Sequence, residues 1–140
     1  GEALHIQIVA VDARNAKELD AALRGLRHRA PDGFMVSSDV LFLANRTKVA
    51  TADAKARLPG IFPWRDYQDV GVLMSYGSST REMGRKAAAY VDKILKGAKP
   101  ADLPIEQSSK YDLVIDLRVA RQLGLKVPQE LLFRADEVIR

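Results

Sequence analysis

The sequence contains no cysteine, which excludes disulfides, thiol catalysis and cysteine-ligated metals. Its two histidines, His5 and His28, have no metal-ligand spacing between them. No apolar run approaches the ~20 residues that a membrane-spanning helix requires. Residues 1–11 lack the basic start and long apolar stretch of a secretory leader, a lack that a mature chain would share. Charge of one sign is also scarce: 22 basic against 18 acidic side chains leave a net +4. These charges are interspersed, which reads as a solvated surface rather than a nucleic-acid footprint.

What is present is the material of one ordinary domain. The chain has 140 residues, and 47% of them are hydrophobic, enough for a single core. Strand-like and helix-like segments alternate, so the fold class expected is α/β, a mainly parallel sheet flanked by helices. Residues 5–11 read as a first strand, with Ile6 and Ile8 on one face and Val9 and Val11 on the other. Asn15 then offers a cap, with Glu18 at capping-box spacing and Leu19, Ala22, Leu23 and Leu26 on one helical face. Phe34-Met35-Val36, Gly60-Ile61-Phe62, residues 72–76 and residues 111–115 read as further strands. One helix is expected from Asp39 to about Arg57, a second from about Thr80 to Gly97, and a short one from Asp116 to Gly124. The tail carries Leu131, Leu132, Phe133 and Val138 without a strand assignment.

In an open parallel sheet, ligands meet the loops that leave the carboxyl ends of the strands. Three loops qualify: Ser37-Ser38-Asp39, Pro63-Trp64-Arg65-Asp66 and Tyr76-Gly77-Ser78. The candidate ligand-binding residues are Ser37, Ser38, Asp39, Trp64, Arg65, Tyr76 and Gly77. The serines exchange hydrogen bonds, Asp39 suits an ammonium group, and Arg65 can fork onto a carboxylate. Trp64 and Tyr76 supply flat apolar surfaces. Each has a plainer role open to it: Asp39 as a helix cap, Arg65 paired with Asp66 or Asp69, Trp64 and Tyr76 as core cover. No Gly-x-Ser-x-Gly turn exists, and Asp12-Ala13-Arg14 stands where a phosphate loop would follow the first strand. Asp12 lacks the acidic pair and the later lysine of a phosphoacceptor site. The reading is therefore non-enzymatic, with no cofactor and no metal.

Several stretches resemble a family of ABC-transporter substrate-binding proteins with a periplasmic-binding-protein type 1-like fold. They are Leu58-Pro59-Gly60-Ile61-Phe62-Pro63, Gly71-Val72-Leu73-Met74-Ser75-Tyr76-Gly77, and the run from Ala88-Ala89-Tyr90 through Lys99-Pro100-Ala101-Asp102-Leu103-Pro104. Leu113-Val114-Ile115-Asp116-Leu117 and Leu131-Leu132-Phe133-Arg134-Ala135-Asp136 continue the likeness, which covers roughly residue 33 to the end. The resemblance implies a two-lobe receptor that closes on a small solute, amino acids among the family's ligands, and delivers it to an ABC permease outside the cytoplasm. Residues 1–140 would then be the second lobe, and the helix at about 80–97 would cross the hinge to pack on a first lobe. Its stripe of Met83, Ala87, Tyr90 and Ile94 would otherwise need cover, for which a second copy of the chain is a candidate. A lone lobe is one wall of a cleft, so it should hold solute weakly at most. The membrane would be met only through the permease, and no nucleic acid is implied. Where the family often has a proline-containing loop, this sequence has Ser37-Ser38-Asp39-Val40. A ligand-sensing regulatory domain of the same fold is the alternative function.

Overall fold

The computed structural model describes residues 5–106 and 110–140. In chain order the elements are α1 (Ala16–Arg29), β1 (Phe34–Met35), α2 (Val40–Ala44), α3 (Arg46–Ala56) and β2 (Gly60–Phe62). A 3-10 helix (Arg65–Val70) leads to β3 (Met74–Ser78) and α4 (Thr80–Leu95). After a second short 3-10 turn come β4 (Tyr111–Asp116), α5 (Leu117–Leu123), α6 (Gln129–Arg134) and β5 (Glu137–Ile139). The strands form one sheet in the order β1-β2-β3-β4-β5.

The helix boundaries follow local chemistry. The Asn15 side chain accepts from the Glu18 N–H at 3.0 Å, while the Glu18 carboxylate accepts from the Arg14 N–H at 2.9 Å. This reciprocal pairing satisfies free donors at the start of α1. Gly97 and Gly124 adopt positive φ, 100° and 74°, just past α4 and at the end of α5. The single helix expected between Asp39 and Arg57 is broken at Asn45. Its side-chain amide donates to the Leu41 carbonyl at 2.8 Å, and its backbone leaves helical geometry at φ −107° and ψ 21°. A side-chain bond to the preceding turn thus ends α2, and α3 starts afresh.

Three of the four strand pairings are parallel, and β3–β4 is antiparallel. The exception has a topological cause. The chain leaves the sheet at the carboxyl end of β3, travels along α4, and re-enters at that same edge, where Ser78 is opposite Tyr111. The tail also adds β5, bonded to β4 from Glu137 to Ile139, which its short length hid from a pattern reading.

The expected strand at residues 5–11 does not form. That segment has no regular secondary structure, and Ile8 and Val9 are 70% and 63% exposed. Apolar alternation alone does not make a strand. The segment is not one of the five strands of the sheet.

Side chains are buried on both faces of the sheet, Phe62 and Val114 on one and Ile115 on the other, and the main cluster lies on the Phe62 face. Leu19, Val36, Val49, Ala50, Phe62, Tyr67 and Val72 form that buried cluster, supplied by α1, α3, the first 3-10 helix, β2 and the segments beside β1 and β3. The Phe62 and Tyr67 rings pack at 4.9 Å between centroids. The Gln68 amide secures the 3-10 helix to the sheet. Its nitrogen donates to the Val72 carbonyl at 3.2 Å, and its oxygen accepts from the Ser75 hydroxyl and N–H at 3.1 Å. By contrast α4 buries none of its residues. Met83, Val91 and Ile94 are 43%, 55% and 40% exposed on it. Its Tyr90 hydroxyl donates to the Pro104 carbonyl at 2.7 Å, so α4 is braced by the linker that follows it.

Asp116 is fully buried where β4 ends, and its carboxylate accepts from the Arg118 and Val119 N–H groups at 2.8 and 3.4 Å. The Arg118 guanidinium closes on it at 2.7 Å. Burial works to raise its pKa, but these donors hold it below the usual carboxylate range. Asp116→Ala is expected to lower stability by about 2 kcal/mol, the loss of a cap and of charged hydrogen bonds. Urea unfolding at neutral pH measures it, and an unchanged midpoint would refute the assignment.

Candidate functional site

Because β1, β2 and β3 are parallel neighbours, their carboxyl ends lie along one edge of the sheet. The loops that leave β1 and β2 carry Ser37, Ser38, Asp39, Trp64 and Arg65, whereas Tyr76, Gly77 and Ser78, expected in a loop, lie within β3 because their backbone pairs with β4 from Leu113 to Tyr111. Ser37 and Ser38 follow β1 and are exposed. Asp39 follows them and caps α2, one carboxylate oxygen accepting from the Leu41 N–H at 2.7 Å. Its other oxygen makes no hydrogen bond among the described residues.

The loop after β2 does several things at once. Trp64 is half-buried and packs against the core, and its carbonyl accepts from the Tyr67 N–H at 3.2 Å. Arg65 is committed to Glu137 at the start of β5 in a two-pronged ion pair, with contacts of 2.6, 2.7 and 3.1 Å. That hydrogen-bonded pairing is the largest influence holding the guanidinium pKa up, against the opposing effect of burial. The acidic partner is thus 72 residues away, rather than the neighbouring Asp66 or Asp69. Asp66 instead accepts from the Thr80 hydroxyl at 3.3 Å, joining this loop to the start of α4.

The β3 end is built on a close backbone approach. A Cβ on Gly77 would collide with the Pro63 carbonyl, so only glycine lets the β2 loop and β3 lie this near each other. Tyr76, next to it, turns to the sheet face opposite the main cluster. It is 52% exposed and stacks on Tyr111 with centroids 5.7 Å apart. The two rings line a hollow of about 420 Å³ with Ile61, Met74 and Leu113, rimmed by Arg134 and Asp136. A hollow of about 580 Å³ lies instead between α1 and α3, beside the Asp20–Lys48 ion pair.

Two residues near these loops in sequence, Tyr67 and Arg46, were not singled out from the sequence. Tyr67 is 0% exposed, and its hydroxyl has no hydrogen-bond partner among the described residues. Burial pushes its pKa up to about 12. Arg46 pulls against that rise, and Asp39 adds to it. Arg46 opens α3 and is exposed, with no ion pair among the described residues. A signal for Tyr67 was available, since an aromatic three residues after Trp64 can turn inward on a single helical turn. None marked Arg46, one basic side chain among 22. Among the described residues, no group of acidic or histidine side chains is arranged to hold a metal ion.

Solved structures share this fold. A conserved domain protein from Vibrio cholerae O1 biovar El Tor aligns at TM-score 0.87 and 25% identity, covering 98% of this chain and 46% of that one. An ABC domain from Streptococcus pneumonia, solved in complex with L-Trp, aligns at TM-score 0.88 and 23% identity over 99% of this chain and 48% of that one. A ligand-free, open substrate-binding protein with adhesive properties from Clostridium difficile aligns at TM-score 0.63 and 20% identity, over 99% and 46%. The chain thus spans about half the length of the solved structures it matches. No curated protein matches it. The profile of the family described as ABC transporter substrate binding protein matches residues 2–139, and the chain belongs to that family.

Proposed function

We propose that this chain is the second lobe of a two-lobe receptor serving an ABC importer outside the cytoplasm. It forms one wall of a cleft that holds an amino acid and passes it, unaltered, to the permease. The observation that carries the reading is the gathering of the Ser37–Asp39 and Pro63–Asp66 loops and the end of β3 on one edge of three parallel strands, where such folds bind ligands. The L-Trp held by the Streptococcus pneumonia protein supports an amino acid as the solute class. The exposed stripe of α4, with Met83, Val91 and Ile94, is the surface on which the first lobe would pack.

One wall leaves much of a ligand wet, so affinity in the millimolar range is expected from this chain alone. A thermal-shift screen of the common amino acids, with sugars and polyamines as controls, tests the class. Ligand at ten times its Kd stabilises by about 1.4 kcal/mol, a rise of about 3 to 6 °C for a domain of this size. A response to sugars or polyamines with none to amino acids would overturn the assignment.

A further inference from the structure

We propose that the hollow between α1 and α3 binds a small organic phosphate. The dianionic phosphate lies among Arg24, Lys48 and Lys55, and the organic body rests against Leu23 and Ala52. This site stands apart from the amino-acid reading, since none of its lining residues belongs to the loops that leave β1 and β2.

Topology sets the two helices side by side. Each leads into the amino end of a strand, α1 into β1 and α3 into β2, and those strands are parallel. The helices therefore run the same way, and they pack on each other. The Asp20–Lys48 ion pair, at 3.2 Å, fixes their relative height. One turn further along each helix, Arg24 comes level with Ala52. On α3, steps of four and three residues keep Lys48, Ala52 and Lys55 on one face. Lys48 and Lys55 are thus two turns apart, about 10 Å, with Arg24 facing them from α1. All three cations are exposed and line the same hollow of about 580 Å³.

The charge of this lining points to the ligand. Three cations against one carboxylate leave a surplus of two positive charges. The whole chain carries only +4, so this one hollow holds half of its excess. Asp20 is spent on Lys48, and Arg24 and Lys55 form no ion pair among the described residues. On α4, by contrast, Lys86 and Lys96 are each closed by an acid. A phosphate monoester carries close to two negative charges at neutral pH, and a guanidinium forks onto its oxygens. The Thr51 hydroxyl donates to the Thr47 carbonyl at 2.7 Å, which leaves the Thr47 hydroxyl as a neutral donor in the lining. The hollow is larger than a bare phosphate and falls within the roughly 300–1,000 Å³ of small-molecule sites. The half-buried Leu23 and Ala52 side chains offer an apolar surface for the rest of the molecule.

The test is a titration of this chain with phenyl phosphate, followed by backbone amide shifts at low ionic strength, where exposed charges are least screened. Saturable changes are expected at residues 20–24 and 47–55. Inorganic phosphate should compete more weakly, and phenol, which lacks the charge, should produce none. Arg24→Gln and Lys55→Gln should each weaken binding about threefold, and together about tenfold. Asp20→Asn should strengthen it, because the variant removes the opposing charge and releases Lys48. Lys126→Gln lowers the net charge equally but lies outside the hollow, so it should change nothing. Equal losses in Lys126→Gln and Arg24→Gln would reveal general attraction of an anion to a basic chain and overturn the proposal. So would weaker binding in Asp20→Asn, or shifts centred on residues 37–39 and 63–66. Equal affinity for inorganic phosphate would overturn the organic body. No saturable change with phenyl phosphate would overturn the site itself and leave the amino-acid reading standing.

Discussion

The Asp53→Asn variant is expected to melt at a higher temperature than the parent at pH 8, and to lose that advantage at pH 4. Asp53 sits inside α3, only 4% exposed, against Gly60 and Phe62, and one carboxylate oxygen has no hydrogen-bond partner among the described residues. Burial pushes its pKa from 3.8 up to about 7. The sign follows from proton counting. Below pH 4 the carboxyl is protonated in both folded and unfolded chains and costs nothing. Between pH 4 and 7 the unfolded chain releases its proton and the folded chain keeps it, so stability falls as pH rises. Above pH 7 the folded protein carries a buried charge. Three pH units at 1.36 kcal/mol each bound the cost at about 4 kcal/mol. Asparagine keeps the shape and cannot ionise, so its melting temperature should stay level across that range while the parent's falls by about 5 °C or more. Calorimetry at pH 4 and pH 8 measures the difference. Parallel curves for the two proteins would mean that Asp53 finds a partner or water on ionising.

Gly77→Ala is expected to destabilise the chain by about 3 kcal/mol or more. The added methyl would fall on the Pro63 carbonyl, which is backbone and cannot rotate away. Relief requires moving either the β2 loop or β3, and cores resist such shifts. The control is Gly84→Ala on α4, where a Cβ meets nothing within 4 Å and α4 gains helix propensity. Urea unfolding should place the Gly77 variant far below the parent and the Gly84 variant at or above it. A Gly77→Ala protein of parental stability would show that the β2 loop and β3 are not held as close as described.

How much of this was legible in the sequence depended on the range of the interaction involved. Caps were readable because their partners are adjacent: Asn15 with Glu18, Asp39 with Leu41, Asp116 with Arg118. Three strands fall where they were expected, bounded by glycine, proline or polar turns, whereas the one expected at residues 72–76 lies two residues later, at Met74–Ser78, with Gly77 inside it rather than closing it. The strand expected at residues 5–11 is not formed, because alternation of apolar residues does not by itself set strand geometry. The short β5 was missed for the complementary reason, since its only credential is the neighbouring β4. The site divides in the same way. Ligand loops at strand ends follow from α/β layering, but the engagement of Arg65 by Glu137 spans 72 residues, which no local pattern reports. Tyr67 read as part of a polar loop, and only the folded core reveals that its ring is enclosed and its hydroxyl unpaired.

The central claim is that the carboxyl edge of β1 and β2 receives an amino acid. Mapping backbone amide shifts during titration with L-tryptophan tests it most directly. The account predicts saturable changes confined to residues 37–46 and 63–67, with α5 and α6 silent. Saturable changes centred on the hollow between α1 and α3, around Asp20 and Lys48, would contradict it.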